Sequence, residues 1–109
     1  MKYDKLVRDF IPETIERSGK KAVTRILNDD EFKVYLEKKL DEEAKEFHES
    51  KSIEELADIL EVVYYLCRAY GYTVAQLKVA VDAKCRIRGG FDRKILLQEV
   101  CETEGEIDK

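Results

Sequence analysis

Hydrophobic residues recur at helical spacing along three long stretches of the chain, and this pattern predicts three long helices. In the first stretch they lie four or seven positions apart, at Phe32, Leu36, Leu40 and Phe47. They predict a helix over about residues 30–49. The second predicted helix, over about 53–70, contains the run ILEVVYYLC and should be the most buried element because it is apolar nearly all round. The third is predicted to end at about residue 88.

Polar residues with capping chemistry precede these helices. Asn28 is suited to accept a hydrogen bond from the first turn of the first helix. Ser52 and Glu55, and again Thr73 and Gln76, have the three-residue spacing of a capping box. Because the break between the first two helices is short, these helices should be antiparallel neighbours. The pattern therefore predicts an all-α fold.

The remaining segments predict short elements. Pro12 suits the first turn of a short helix, and Gly19 suits the C-terminal cap of that helix. Two segments, 22–27 and 94–100, are candidates for a minor two-stranded β element. The acidic tail from about residue 102 is predicted to fray.

Length and charge limit the classes of protein to consider. A chain of 109 residues predicts one domain over residues 1–109, and small helical proteins often complete their core by oligomerising. The net charge of −4 argues against bulk binding of nucleic acid. The uncharged run VVYYLC is too short to span a membrane. We therefore expect a homodimer or higher homo-oligomer that binds neither bulk nucleic acid nor membrane.

The cysteines indicate a reducing compartment. Cys67, Cys85 and Cys101 are an odd number, and they form no CxxC pair. This spacing favours neither a disulfide framework nor a zinc site. The N-terminal MKYDKLVRD is charged from its second residue, which is not typical of a signal peptide. We therefore expect a cytoplasmic protein.

Two pairs of acids at helical spacing indicate a candidate site. Glu43 and Glu46 are three residues apart on the first long helix, and Glu55 and Asp58 repeat this spacing on the next. Glu43 also interrupts the hydrophobic stripe, so it should face inward. Antiparallel packing would bring the four carboxylates together near one end of the helix pair.

Clustered carboxylates repel one another unless a cation lies between them. Oxygen ligands favour Mg²⁺, Mn²⁺ or Ca²⁺ over zinc or copper. A di-iron bundle needs a Glu three residues before a His, but Lys45 precedes His48 at that spacing. Acid-rich helices more often present only a solvated face, and Glu42 is expected to lie on it. Glu61, inside the apolar run, is a fifth candidate.

Basic residues follow in the segment KCRIRGGFDRK, residues 84–94, which carries five bases and one acid. Lys84 and Arg88 continue the helical spacing of Val74, Leu77 and Val81 on the third helix and should lie on the inward side of that helix. Lys5 and Arg8 form a second basic group. Taken singly, each of these bases can be explained without a ligand, for example by its favourable interaction with the helix dipole. Together with the acids, the bases suggest a metal ion bound to phosphate oxygens.

The stretches LDEEAKEF and EELADILEVVYYL resemble the paired ExxE and ExxD helices of the all-α nucleoside triphosphate pyrophosphohydrolases, the superfamily that includes MazG. The opening YDKLVRDFIPE and the closing RGGFDRKILL resemble its phosphoribosyl-ATP pyrophosphohydrolase-like, or house-cleaning, branch. The resemblance covers residues 3–97. It implies a MazG-like helical bundle.

The resemblance also implies an enzyme that hydrolyses a nucleotide between its α and β phosphates and releases pyrophosphate. By position, the acids that bind Mg²⁺, or alternatively Mn²⁺, would be Glu43, Glu46, Glu55 and Asp58. Glu43 or Glu46 would position the attacking water or accept its proton. Four bases are expected to hold substrate phosphate: Lys84, Arg88, Lys5 and Arg8. No clear segment for recognising the nucleobase is present, so the sequence does not indicate which nucleobase the substrate carries.

A non-catalytic protein is the alternative. The same helices would then hold a nucleotide or a partner as a sensor or adaptor. The presence of all four acids favours the enzyme, because binding alone needs fewer of them. Release of pyrophosphate well beyond one equivalent of protein distinguishes the two functions.

Overall fold

The structure, a computed structural model, describes residues 4–102 and contains four helices and no strand in that range. The helices are α1 (Ile11–Arg17), α2 (Asp29–Ser50), α3 (Ile53–Ala69) and α4 (Val74–Arg88). The predicted all-α fold class is confirmed. None of these helices has the length and apolar character needed to cross a membrane. The tail predicted to fray lies, apart from Glu102, outside the described residues.

Side-chain caps determine where the long helices begin. The Asn28 side chain accepts a hydrogen bond from the Glu31 amide at 2.8 Å, and the Glu31 carboxylate accepts one from the Asn28 amide at 3.3 Å. Thr73 and Gln76 form the same reciprocal pair, at 2.8 and 3.0 Å. Both pairs satisfy backbone amides that the first helical turn leaves without a partner. The helix starts at residues 29 and 74 follow from these pairs.

The short helix was predicted correctly and the small sheet was not. Pro12 lies in the first turn of α1, and Gly19 follows the helix with a φ of 90°. Segments 22–27 and 94–100 form no strand. Most of their apolar side chains are exposed, and a two-stranded pair without a well-packed face is marginal in water. Propensity alone therefore misled the sequence-based prediction.

Helices α2 and α3 form the packed part of the fold. They contact each other along their length and are linked only by Lys51 and Ser52, so they run antiparallel. The hydrophobic residues buried in the described range are Leu36, Val62 and Cys67. Helix α3, which was predicted to be the most buried element, carries Val62 and Cys67, while Leu60 on its far side is 49% exposed.

By its internal contacts the chain divides into two compact units, Met1–Lys78 and Val79–Lys109. The first unit contains α1, α2, α3 and the start of α4. Both acidic pairs and the N-terminal bases belong to this unit. Lys84 and Arg88 belong to the second unit.

Candidate metal centre

Carboxylates from α2 and α3 meet where the two helices pack. One oxygen from each of Glu43, Glu55 and Asp58 lies within 4.8 Å of the others. A second group under the same limit consists of Glu42, Glu43 and Glu46. Glu43 belongs to both groups. The structure therefore brings the four acids predicted from the sequence together around Glu43.

Glu43 is the buried centre of this carboxylate cluster, with 4% of its surface exposed. Its position on the hydrophobic stripe of α2 turns it toward α3. One oxygen, Oε1, lies 3.3 Å from Lys39 Nζ. The other, Oε2, is buried and has no hydrogen-bond partner among residues 4–102. A buried polar atom left in this state typically costs about 1–3 kcal/mol.

Adjacent acids of the cluster have opposite pKa shifts. Burial raises the pKa of Glu43, and the neighbouring Glu46 carboxylate raises it further, while Lys39 opposes the shift. Burial also tends to raise the pKa of Glu42, but hydrogen bonds from Lys39 and Lys5 outweigh it and lower the pKa below its usual value. Glu43 therefore keeps a proton more readily than Glu42 does.

Glu42 is not the solvated acid that the sequence predicts. Its Oε1 lies 2.9 Å from Lys5 Nζ, and its Oε2 accepts a hydrogen bond from Lys39 Nζ at 2.6 Å. The prediction failed because the N-terminal segment covers this face of α2. Lys39 was missed altogether, although it lies three residues before Glu42 and four before Glu43. That spacing is the sequence signal that could have found it.

The Glu55 carboxylate is not used for capping. Ser52 Oγ accepts a hydrogen bond from the Glu55 amide at 3.4 Å. In this stretch the Ser52 amide donates to Ser50 Oγ at 3.2 Å, and the reciprocal bond of a capping box does not form. Helix capping therefore uses the backbone amide of Glu55 but not its carboxylate, which lies in the cluster.

The two N-terminal bases lie against acids of the helix pair. Arg8 Nη2 donates to Asp58 Oδ1 at 2.6 Å, and Arg8 Nη1 lies 2.8 Å from Glu61 Oε1. Lys5 pairs with Glu42 as described above. Glu61, the fifth candidate acid, is thus held by Arg8 and lies outside both groups of converging carboxylates.

The other two predicted phosphate-binding bases lie in the second unit. Lys84 and Arg88 are both exposed on α4. Arg88 lines a cavity of about 280 Å³ together with Phe91, Arg93 and Lys94. A role of these bases in holding phosphate stays a prediction.

The residues of the cluster fit a hard divalent cation. All donors are carboxylate oxygens, which suit Mg²⁺ and Mn²⁺ better than softer metals. The unpartnered Oε2 of Glu43 provides one oxygen whose burial is otherwise unexplained. The residues that could hold such an ion are Glu43, Glu46, Glu55 and Asp58, with Glu42 beside them.

Comparison with known proteins leaves the family open. No family profile matches the chain. No solved structure matches it. A stretch of 41 residues is 56% identical to an uncharacterized protein of Mycolicibacterium smegmatis, and it covers 38% of this chain and 42% of that protein. The match thus spans less than half the length of that curated relative.

Proposed function

We propose that the protein is a Mg²⁺-dependent nucleotide pyrophosphohydrolase with a MazG-like bundle. Its substrate would be a nucleoside triphosphate, including non-canonical ones. The observation that carries the proposal is the Glu43 carboxylate, which is almost fully buried, converges with Glu55 and Asp58, and has one oxygen without a partner in the described residues. A purely structural charge network would satisfy that oxygen, because leaving it unpaired is costly.

The reaction itself is suggested by the resemblance of the paired acidic helices to the all-α pyrophosphohydrolases. When bound, the divalent cation would supply positive charge that polarises phosphate oxygens and favours ionisation of a nearby water. Glu43 or Glu46 would accept the proton of the attacking water. The raised pKa of Glu43 supports this role, because it brings the carboxylate closer to the operating pH.

The bond changes of the proposed hydrolysis are simple. The water oxygen bonds to phosphorus while the α–β bridging bond breaks, so that a monophosphate and pyrophosphate are released. Exposed bases would hold the remaining phosphate charge: Lys84, Arg88, Lys5 and Arg8. The side chains of Lys5 and Arg8 are each 53% exposed, so their solvated ion pairs can exchange a carboxylate for a phosphate oxygen.

We also propose that the protein is a homodimer or a higher homo-oligomer. A stripe of apolar residues on α3 remains 72%, 44% and 49% exposed, at Ile53, Leu56 and Leu60. Their spacing of three and four residues places them on one face of the helix. Because few hydrophobic side chains are buried in the described residues, a second copy of this chain is the partner we assign to that face.

The free thiols support a cytoplasmic location, which we include in the proposal. Cys67 is a buried free thiol that donates to the Thr73 carbonyl at 3.2 Å. Cys85 and Cys101 are exposed and unpaired. Exposed thiols persist in reducing compartments. Fractionation of cells that express the protein at its natural level, with the thiols trapped by alkylation, tests this location.

The decisive experiment is a screen for pyrophosphate release over standard and damaged nucleoside triphosphates, with and without Mg²⁺. We expect at least one substrate to give release far beyond one equivalent of protein, only when Mg²⁺ is present. Glu43→Gln should remove this activity, and Glu49→Gln on the same helix should retain it. Release that never exceeds one equivalent, from a protein that binds both Mg²⁺ and nucleotide, would favour a sensor or adaptor.

A further inference from the structure

Two cations of the described chain contact the rim of the carboxylate cluster, and a third, Lys39, lies 3.3 Å from Oε1 of Glu43 at its centre. Lys5 contacts Glu42 at 2.9 Å, and Arg8 contacts Asp58 at 2.6 Å. Both bases belong to the segment before α1, whose described residues, 4–10, are not helical. At the centre, Glu43 Oε2 has no hydrogen-bond partner among the described residues.

The charges at the cluster do not balance. The acids that converge there or share its bases are Glu42, Glu43, Glu46, Glu55, Asp58 and Glu61. Among residues 4–102, the bases that the ion pairs place against them are Lys5, Arg8 and Lys39. With every one of these groups ionised, negative charges exceed positive ones, and the excess lies on the inner acids. The described residues therefore supply a partial set of counter-ions.

Two roles can be considered for Arg8: it either fixes the orientation of Asp58 or acts as an exchangeable counter-ion. The exposure of the pair decides between them. The Arg8 side chain is 53% exposed and that of Asp58 is 35% exposed, so their ion pair is solvated and contributes little to stability. Arg8 also has a second partner in Glu61 at 2.8 Å. It can therefore leave Asp58 without losing all its contacts.

We propose that Arg8 is an internal counter-ion of the cluster, which a divalent cation displaces from Asp58 and which then remains on Glu61. This inference rests on the metal centre of the proposed function. It assigns Glu61 a role that the metal centre alone does not give it, namely to hold the displaced guanidinium. Binding of the cation is thereby coupled to the contacts of the segment before α1.

The test is a titration with Mn²⁺ alone, followed by electron paramagnetic resonance, in the absence of nucleotide. Arg8→Gln should bind Mn²⁺ about tenfold more tightly at low salt, since it removes a unit charge roughly 6 Å from a divalent ion in water. The difference should shrink as salt is raised. Arg8→Lys keeps the charge and should bind like the wild type. Arg17→Gln is the matched control, because Arg17 pairs with Glu13 on α1, 3.9 Å away.

The outcomes separate this inference from the proposed function. Equal affinity in Arg8→Gln and wild type would overturn the counter-ion role and leave the metal centre standing. Weaker binding in both Arg8 variants would also overturn it, and would assign Arg8 to orienting Asp58. Failure of the wild type to bind Mn²⁺ would remove the metal centre and the inference together.

A second measurement does not depend on any variant. In the wild-type protein, the Nε–H resonance of Arg8 should shift when Mg²⁺ is added without nucleotide, while that of Arg17 stays in place. An Arg8 resonance that does not move in a protein saturated with Mg²⁺ would refute displacement.

Discussion

Replacing Glu43 with glutamine should stabilise the metal-free protein while removing most of its response to divalent cations. The wild-type carboxylate is 4% exposed, and its Oε2 is unpartnered in the described part of the chain. Such an atom costs about 1–3 kcal/mol. Glutamine removes the charge but keeps a polar group and weakens the contact with Lys39. A net gain of about 1 kcal/mol, or about 4–8 °C in Tm, is therefore expected.

The size of this gain should depend on pH. Because the pKa of Glu43 is raised in the folded state, the folded protein binds more protons than the unfolded chain at pH values just above the ordinary carboxyl pKa, about 4.3. The free energy of unfolding of the wild type therefore falls as pH rises through this window. The advantage of Glu43→Gln should vanish below about pH 4 and reach its full value once Glu43 is ionised in the folded protein.

Thermal melts with and without millimolar Mg²⁺ or Mn²⁺ measure the second half of the prediction. The wild type should melt at a higher temperature with metal, because a ligand of the native state stabilises it. Glu43→Gln should lose most of that rise, and turnover should fall by about 10²–10³-fold, the usual effect of removing one such group. Glu49→Gln, an exposed position on the same helix, controls for net charge. Glu42 is unsuitable as a control because it pairs with Lys5 and Lys39.

Two results would refute this reasoning. A Glu43→Gln protein that is less stable without metal, yet gains as much from Mg²⁺ as the wild type, would mean that the carboxylate serves the fold and not a cation. Equal changes in Glu43→Gln and Glu49→Gln would assign the effect to net charge.

Three further predictions concern the packing, the ion pairs and the assembly. Leu36→Ala should lower the free energy of unfolding by about 2–5 kcal/mol in urea titrations, because Leu36 is 2% exposed. A loss below about 1 kcal/mol would show that neighbouring side chains fill the cavity or that Leu36 is not part of the core. Glu42→Gln should be less stable than the wild type at neutral pH, and the two free energies of unfolding should converge as pH falls, since the pKa of Glu42 is lowered in the folded state. Thermal melts between about pH 7 and pH 3 test this, and a stability difference that stays constant over that range would contradict it. Leu60→Glu should convert the oligomer to monomer in sedimentation at micromolar concentration, whereas a wild-type species of 12.7 kDa would exclude the oligomer.

The long helices were predictable because their signals are local. Asn28 and Thr73 begin helices through partners three residues away, and the hydrophobic spacing of α2 selects its buried face. The same locality explains why the two acidic pairs could be placed. Spacing put Glu43 inward, and the short link between α2 and α3 made the pairs neighbours.

Apart from Lys39, whose partners are local, the failures concern contacts between segments distant in the sequence. Arg8 and Asp58 are 50 residues apart, and no spacing rule connects them. Lys5 likewise covers Glu42 from outside the helix pair, so that acid was placed in solvent. The prediction of a small sheet failed for a related reason. Strand propensity is a property of one segment, whereas a sheet requires a second strand and a packed face.

The two-residue link at Lys51 and Ser52 has a consequence for the order of folding events. Helices that are consecutive in the chain and joined by so short a turn close a small loop, which costs little entropy and occurs quickly. Bringing Arg8 to Asp58 closes a much longer loop. We therefore expect the carboxylates to meet before their distant counter-ions arrive. Lys39 lies one turn from Glu43 on the same helix, so it is already next to Glu43 when the carboxylates of α2 and α3 first repel one another.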